Sequence, residues 1–140
     1  MQGYVYIPTE SEEQQQIFTW ASYAMGRWPE LEYLHHIPNG GARSKATAGR
    51  LKAEGVKPGV PDICLPAPHG GYHGLYIELK KRKGGRVSDK QSKWITALRS
   101  FGYAAVACHG AQEAIEVIQR YLSLREEQLR YGERKETGDE

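Results

Sequence analysis

Two charged residues interrupt an apolar run in the middle of the chain. The run Leu75–Lys80 (LYIELK) has the apolar and aromatic residues that favour a β-strand, yet it contains Glu78 and Lys80. Residues two apart in a strand point to the same face, so the carboxylate and the ammonium group would lie side by side. Such a pair is either a simple ion pair or a site where the lysine polarises a water or offsets the charge of a phosphate.

A second carboxylate opens the neighbouring apolar run. Asp62 follows Pro61 and begins the segment Asp62–Leu65 (DICL), and the turn-rich segment Pro66–Gly74 leads to the next run. This pattern predicts a β-hairpin that brings Asp62 close to Glu78. Two carboxylates at such a separation repel each other unless a positive charge lies between them. An oxygen-rich site of this kind suits a divalent cation such as Mg²⁺ or Mn²⁺.

The rest of the sequence predicts the helices and strands that would hold this hairpin. Capping boxes at Thr9–Glu12 or Ser11–Gln14 and at Ser88–Gln91 mark two helix starts, and Gly102 marks a helix end. In chain order we expect a helix to about Arg27, a strand at Glu32–Ile37, a basic helical or loop segment at Arg43–Gly55, the hairpin, a helix from Ser88 to Gly102, a strand at Tyr103–Cys108 and an amphipathic helix at Ala111–Leu129. This order predicts an α/β fold with a mixed central sheet flanked by helices.

Length and composition favour one soluble domain. The chain has 140 residues, of which 39% are hydrophobic and 26% charged. It contains no apolar run of about 18 residues, so we expect no membrane span. The N-terminus lacks the basic and then apolar pattern of a signal peptide, which favours a cytoplasmic location. We assign residues 1–129 to the domain and residues 130–140 (RYGERKETGDE) to a polar tail.

The positive charge of the chain is concentrated in its middle. Residues 39–99 carry thirteen Lys and Arg against four Asp and Glu, whereas acidic residues are in excess on both sides. A basic centre next to the acidic pair predicts a surface that grips a polyanion near the site. We see no recognition helix or zinc finger, so we expect contacts to DNA phosphates and recognition by shape. The expected DNA ligands are Arg43, Lys45, Arg50, Lys52, Lys81, Arg82, Lys83 and Arg86.

Four segments together resemble a known nuclease family. They are HIPNGGARS (His36–Ser44), GVKPGVPDICL (Gly55–Leu65), LYIELKKRKGGRVSDKQSKW (Leu75–Trp94) and LRSFGYAAVAC (Leu98–Cys108). The P-D and E-x-K elements resemble the PD-(D/E)xK nuclease superfamily, and the set is most similar to its VRR-NUC branch, over roughly residues 10–122. The resemblance implies a restriction-endonuclease-like sheet and metal-dependent cleavage of DNA.

The resemblance also implies roles for individual residues. Asp62 and Glu78 match the metal ligands of the family for Mg²⁺ or Mn²⁺, and the carbonyl of Leu79 matches a further ligand. Lys80 matches the catalytic lysine, and Gln91 matches a glutamine that opens the following helix near the site.

The family also uses a glutamate on its first helix, and this sequence offers three. We favour Glu13, because it shares a helix face with Glu10 and Ile17. Glu10 is the next choice, and Glu12 stays open. An acidic residue in the first turn of a helix also interacts favourably with the helix dipole, and we expect at least two of the three to do only that.

The expected function is that of a divalent-metal-dependent DNA endonuclease. By its resemblance to stand-alone phage and bacterial members of the branch, we expect a homodimer that selects branched DNA, such as Holliday junctions or flaps, in a bacterial or phage-infected cell. The dimer interface would use the first helix or the apolar face of the last one, unless both are buried in the monomer. The alternatives are a non-catalytic nucleic-acid-binding module of the same fold, and a restriction-type or RNA-directed nuclease.

Overall fold

The computed structural model describes residues 3–39 and 44–125, and its elements follow the predicted order. They are α1 (Glu10–Ala24), a 3₁₀-helix (Pro29–Tyr33), β1 (His35–His36), α2 (Lys45–Ala53), β2 (Ile63–Leu65), β3 (Leu75–Lys80), α3 (Asp89–Ser100), β4 (Ala104–His109) and α4 (Ala111–Leu122). Arg43, the polar tail and the predicted extension of the last helix to Leu129 lie outside the described residues.

The four strands form one mixed sheet in the order β1-β2-β3-β4. Strands β2 and β3 are the predicted antiparallel hairpin, with Ile63 opposite Ile77 and Leu65 opposite Leu75. Strand β4 runs parallel to β3, and α3 makes the crossover that a parallel pair requires. The prediction of a mixed sheet flanked by helices is therefore confirmed.

The alternation of side chains along β3 divides the core in two. Leu75, Ile77 and Leu79 are buried on one face against residues of α1 and α4, among them Ile17 and Ile118. The ring of Tyr76 lies on the opposite face, in a smaller cluster formed with Ile95, Leu98 and Ala105. Glu78 and Lys80 follow Tyr76 in steps of two, so they point to the face that α3 covers.

Capping residues set the helix starts. Of the two boxes predicted for α1, the one that forms joins Thr9 and Glu12: the Glu12 N–H donates to Thr9 Oγ1 at 3.1 Å, and the Thr9 N–H donates to Glu12 Oε1 at 2.9 Å. The helix ends at Ala24, three residues before the predicted end at Arg27. Gly102 ends α3 as predicted, with a φ of 99° that favours glycine.

The predicted strand at Glu32–Ile37 is wrong over most of its length. Only His35 and His36 pair with β2, and Pro29–Tyr33 form a 3₁₀-helix. The reason lies in the spacing of Leu31 and Leu34, which are three apart and both buried. Residues three apart share one side of a 3₁₀-helix, whereas they would lie on opposite faces of a strand.

The apolar faces of the first and last helices are used within the monomer. Ile17 and Ile118 are fully buried, Leu122 is 5% exposed, and Ile115 packs against the same core. These faces are therefore not available as the dimer interface that the sequence suggested. Within residues 3–39 and 44–125, no helix combines the length and apolar character needed to span a membrane.

Candidate active site

Asp62 and Glu78 lie opposite each other at one end of the hairpin. The strands pair Ile63 with Ile77, so the next position along each strand sets Asp62 across from Glu78. The N–H of Leu79 donates to Asp62 Oδ2 at 2.8 Å, which holds the Asp62 carboxylate against β3. The structure thus brings together the two acids that the sequence predicted.

The carboxylate of Glu78 is buried and only partly satisfied. Its side chain is 3% exposed, its Oε2 accepts a hydrogen bond from Gln91 Nε2 at 3.0 Å, and Lys80 Nζ lies 3.6 Å from the same oxygen. Its Oε1 is buried and has no hydrogen-bond partner within the described part of the chain. A buried acceptor without a partner is costly, so a donor or a cation at Oε1 would be stabilising.

The surroundings of Glu78 favour its neutral form in the protein alone. Burial and, after it, the negative charge of Asp62 raise its pKa to about 8, although the charge of Lys80 acts in the opposite direction. A cation between the two carboxylates would favour the ionised form, because an opposite charge at short range stabilises a carboxylate. Metal binding at this place would therefore release a proton near neutral pH.

Lys80 is held in place by the backbone on two sides. The residue is 8% exposed, and a Cβ atom at Gly85 would lie 2.9 Å from Lys80 Cβ, so only glycine lets the following loop pass this closely. Its carbonyl accepts a hydrogen bond from the Gly110 N–H at 2.9 Å. Carbonyl groups alternate sides along a strand, so the Leu79 carbonyl points the other way, towards β2 and Asp62.

Gln91 connects the start of α3 to the site. Its Oε1 accepts a hydrogen bond from the Ser88 N–H at 2.9 Å, and its own N–H donates to Ser88 Oγ at 3.2 Å, which completes the predicted capping box. Its Nε2 is then free to donate to Glu78. The cap residue predicted from sequence is also the residue that orients the site carboxylate.

The donor set fits a hard divalent cation. In the parts of the chain that the structure describes, no cluster of three or more His, Cys, Asp or Glu side chains could hold a metal. The position between β2 and β3 instead combines the carboxylates of Asp62 and Glu78 with the inward-facing carbonyl of Leu79. Oxygen ligands with room for water are what Mg²⁺ and Mn²⁺ prefer, and the unpartnered Glu78 Oε1 is where one would bind.

Glu13 lies in a separate buried contact. Its side chain is fully buried; Oε2 accepts from Arg82 Nε at 2.8 Å, and Oε1 accepts from Arg82 Nη2 at 3.0 Å and from the Ala111 N–H at 2.9 Å. These hydrogen bonds, above all those from Arg82, lower the pKa of Glu13. None of its hydrogen bonds to the described residues reaches Asp62 or Glu78. Of the alternatives, Glu12 is used in the cap of α1, and Glu10 is exposed.

The predicted DNA ligands are at the surface, with one in an ion pair. Helix α2 has no buried residue, so it presents its basic side chains to solvent. Arg82 binds Glu13 through two nitrogen atoms, although 45% of its side chain is exposed. The other described residues of the set are exposed: Lys45, Arg50, Lys52, Lys81, Lys83 and Arg86.

Two residues near the site were not assigned a role there from sequence. His36 Nδ1 is 2.8 Å from the Asp62 carbonyl, a strand-end position that leaves its ring exposed. Gly85 packs against Lys80. The sequence signal for Gly85 is the glycine pair Gly84–Gly85, which directly follows the basic run. Such a pair indicates that the loop passes close to another part of the chain, but it does not indicate that this part is Lys80.

Comparison with known proteins agrees with this geometry. The VRR-NUC domain model matches residues 7–112, which include every described residue of the site. A solved structure described as a VRR_NUC domain protein is similar, with a TM-score of 0.73 and 33% sequence identity over 86% of this chain and 93% of that chain. No match was found among curated proteins. The chain therefore belongs to the VRR-NUC family, a nuclease-type family, which supports nucleic-acid binding and a nuclease-like function.

Proposed function

We propose that this protein is a divalent-metal-dependent endonuclease that hydrolyses phosphodiester bonds in DNA. The observation that carries the proposal is the buried Glu78 carboxylate opposite Asp62: its Oε1 has no hydrogen-bond partner in the described chain, and its Oε2 lies 3.6 Å from Lys80 Nζ. A purely structural ion pair would satisfy its own carboxylate. The Glu78–Lys80 pair instead leaves Glu78 Oε1 without a hydrogen-bond partner in the described chain.

Each residue of the site has a distinct task in the proposed reaction. Asp62, Glu78 and the Leu79 carbonyl would hold Mg²⁺ or Mn²⁺. When bound, the ion would supply an activated water and stabilise the leaving oxygen of the phosphodiester. Lys80, which is buried and lies 3.6 Å from Glu78 Oε2, would offset charge on the phosphate or orient the water. Gln91 keeps the Glu78 carboxylate in one orientation.

The basic surface would deliver the DNA backbone to this site. The loop after β3 carries Lys81, Lys83 and Arg86, and it begins at the residue that follows Lys80. Helix α2 adds a second exposed group of cations ahead of Asp62 in the chain. Side chains of this kind contact phosphates and position the duplex without reading its bases.

A nicking assay tests the proposed activity. Supercoiled plasmid incubated with the protein and Mg²⁺ or Mn²⁺ should be nicked, EDTA should stop the reaction, and the double variant Asp62→Asn with Glu78→Gln should bind the plasmid without cutting it. Binding without cleavage by the native protein, with either ion, would favour a non-catalytic module. Cleavage of RNA alone would favour the RNA-directed alternative.

We extend the proposal to a homodimer that prefers branched DNA. One small domain would contact only a short length of DNA. A second copy related by two-fold symmetry would place two sites at a fixed distance, which suits the paired strands of a junction. Exposed apolar side chains ahead of α1, with Tyr4 88% and Val5 78% exposed, offer a surface for such pairing. Light scattering should give about twice 15.8 kDa, and a four-way junction should be cut faster than linear duplex. A monomer that cuts flaps and ignores junctions would contradict this extension alone.

A further inference from the structure

A cavity of about 400 Å³ lies on the surface beside the candidate site. One wall is the outer face of α3, and the other is the loop that precedes β2. It is separate from the carboxylates of the site and contains none of the proposed metal ligands. Its lining residues are Lys57, Pro58, Lys90, Lys93, Trp94, Ala97 and Phe101.

The lining combines aromatic rings with positive charge. Lys90, Trp94 and Ala97 follow one another by three or four residues on α3, so they share a helix face. Trp94 is half-buried against the smaller core cluster, which fixes its ring. Phe101 is 65% exposed at the end of the same face. An exposed ring beside a fixed ring, with lysines around both, is the arrangement that stacks a nucleic-acid base and binds its phosphates.

The cavity is formed by the fold and needs no rearrangement. Gly59 lies in the loop with a φ of 91°, and a Cβ atom there would lie 2.8 Å from the Lys90 backbone, so the loop touches α3 directly. Asn39 Nδ2 donates to the carbonyl of Lys57 at 2.5 Å, which holds the other end of the loop. The two walls therefore keep a fixed separation.

Both walls lead into the candidate site. The loop continues to Asp62, and on α3 the residue after Lys90 is Gln91, which binds Glu78. We propose that this cavity binds an unpaired base of a DNA strand, stacked on Trp94 and Phe101, while the lysines hold the adjoining phosphates. The inference rests on the proposed function, and it narrows it: among branched substrates, those with an unpaired nucleotide next to the cut would be preferred.

Base-dependent binding tests the inference without any cleavage. Three fluorescent duplexes are compared in EDTA: one with a short overhang of thymidines, one with an overhang of equal length made of abasic sites, and one blunt. The thymidine overhang should bind roughly ten-fold more tightly than the abasic one, because a stacked base contributes on that scale. The abasic overhang keeps the phosphates, so the difference isolates the base.

Variants assign the effect to the cavity. Phe101→Ala changes an exposed side chain and should abolish the preference for bases, and Trp94→Leu should do the same. Tyr23→Ala, which removes an aromatic ring that is 84% exposed on α1, is the matched control and should keep the preference. Lys93→Gln should weaken binding of both overhangs alike and lower the salt dependence.

Two results would overturn the inference. One is equal affinity of the native protein for thymidine and abasic overhangs; the other is a preference that persists in both Phe101→Ala and Trp94→Leu. Because the measurement is made without metal, a protein that fails to cut DNA can still show base stacking. A protein that nicks plasmid but ignores the base would overturn this inference and leave the nuclease proposal standing.

Discussion

The side-chain amide of Gln91 donates a hydrogen bond to Glu78 through Nε2. Its Oε1 accepts a hydrogen bond from the Ser88 N–H and so caps the helix that carries Gln91. The two ends of one amide group thus connect the start of α3 to the buried carboxylate. A glutamate at the same position would keep the cap, but it would replace the donor with a negative charge.

We expect Gln91→Glu to reduce cleavage without unfolding α3. The new carboxylate can still accept from the Ser88 N–H, but it places a negative charge beside Glu78 where a donor was. Loss of a group that orients a metal ligand typically costs about 10–100-fold in activity or metal affinity. Nicking rates and far-ultraviolet circular dichroism measure the two effects separately. Unchanged cleavage would mean that Gln91 serves only as a cap.

Glu78→Gln should stabilise the metal-free protein, and increasingly so as the pH rises. The raised pKa of about 8 means that the folded protein keeps a proton that the unfolded chain releases near its ordinary value of 4.5. Between these values the folded state binds more protons, so the free energy of unfolding of the native protein falls as the pH increases. The side-chain amide in Glu78→Gln cannot ionise, so the free energy of unfolding of the variant does not fall for this reason.

Thermal unfolding in EDTA at several pH values tests that expectation. The difference between Glu78→Gln and the native protein should grow from pH 4.5 to pH 8 and then level off. Glu116→Gln changes an exposed carboxylate on α4 and should show no such trend. A difference that is constant with pH would show that Glu78 is not perturbed.

Asp62→Ala and Glu78→Ala should each abolish the binding of Mg²⁺ and Mn²⁺ in calorimetry. Each change removes one of the two carboxylates that would hold the ion, whereas Glu116→Ala leaves both in place. Binding to the native protein below pH 8 should release protons, seen as a dependence of the heat on the buffer. Full binding by both single variants would locate the metal elsewhere.

Lys80→Ala should lower the cleavage rate and spare DNA binding, whereas Lys83→Ala should weaken DNA binding and spare the maximal rate. Lys80 is buried beside Glu78, so its loss should reduce cleavage about 100-fold or more while DNA affinity stays near the native value. Lys83 is exposed, so its loss should weaken binding in a salt-dependent manner and leave the maximal rate intact. Cleavage near the native rate in Lys80→Ala would make Lys80 a structural ion-pair partner.

Gly85→Ala should impair cleavage by moving Lys80. A methyl group at Gly85 would lie 2.9 Å from Lys80 Cβ, so the loop or the lysine has to shift. Metal binding should persist, because neither Asp62 nor Glu78 contributes the atoms nearest to the added methyl group, which belong to Lys80 and Lys81. Gly49→Ala on α2 is the control, since nothing lies within 4 Å of its Cβ position, and it should stabilise the protein by about 0.4–1 kcal/mol. Equal activity in both variants would contradict the positioning role.

The central part of the fold could be predicted because its signals are local. The turn-rich segment between two short apolar runs indicated the hairpin, and side-chain alternation along β3 placed Glu78 and Lys80 on one face. The Ser88–Gln91 box marked the start of α3 to the residue. The cavity beside α3 left no such signal, because its second wall comes from a loop more than thirty positions away in the sequence.

The partners of Glu13 could not be predicted for the same reason. Helix spacing ranked Glu13 first among three glutamates, but its contact with Arg82 depends on how α1 packs across the sheet. The strand predicted at Glu32–Ile37 failed because aromatic and apolar residues favour strands locally, while burial of Leu31 and Leu34 favours a helical turn. Local preference is decisive only where tertiary packing agrees with it.

The Glu13 contact has a consequence for the order in which the domain assembles. One buried carboxylate joins α1, the segment after β3 and the first residue of α4, across a separation of 98 positions between Glu13 and Ala111. We expect contacts between such distant positions to close late in folding, because the loop entropy has to be overcome first. We therefore expect Lys80, two residues from Arg82, to reach its final position only after α1 and α4 have docked. A chain that lacks α4 would contain Asp62, Glu78 and Lys80 but would lack the Ala111 N–H that holds Glu13, the partner of Arg82.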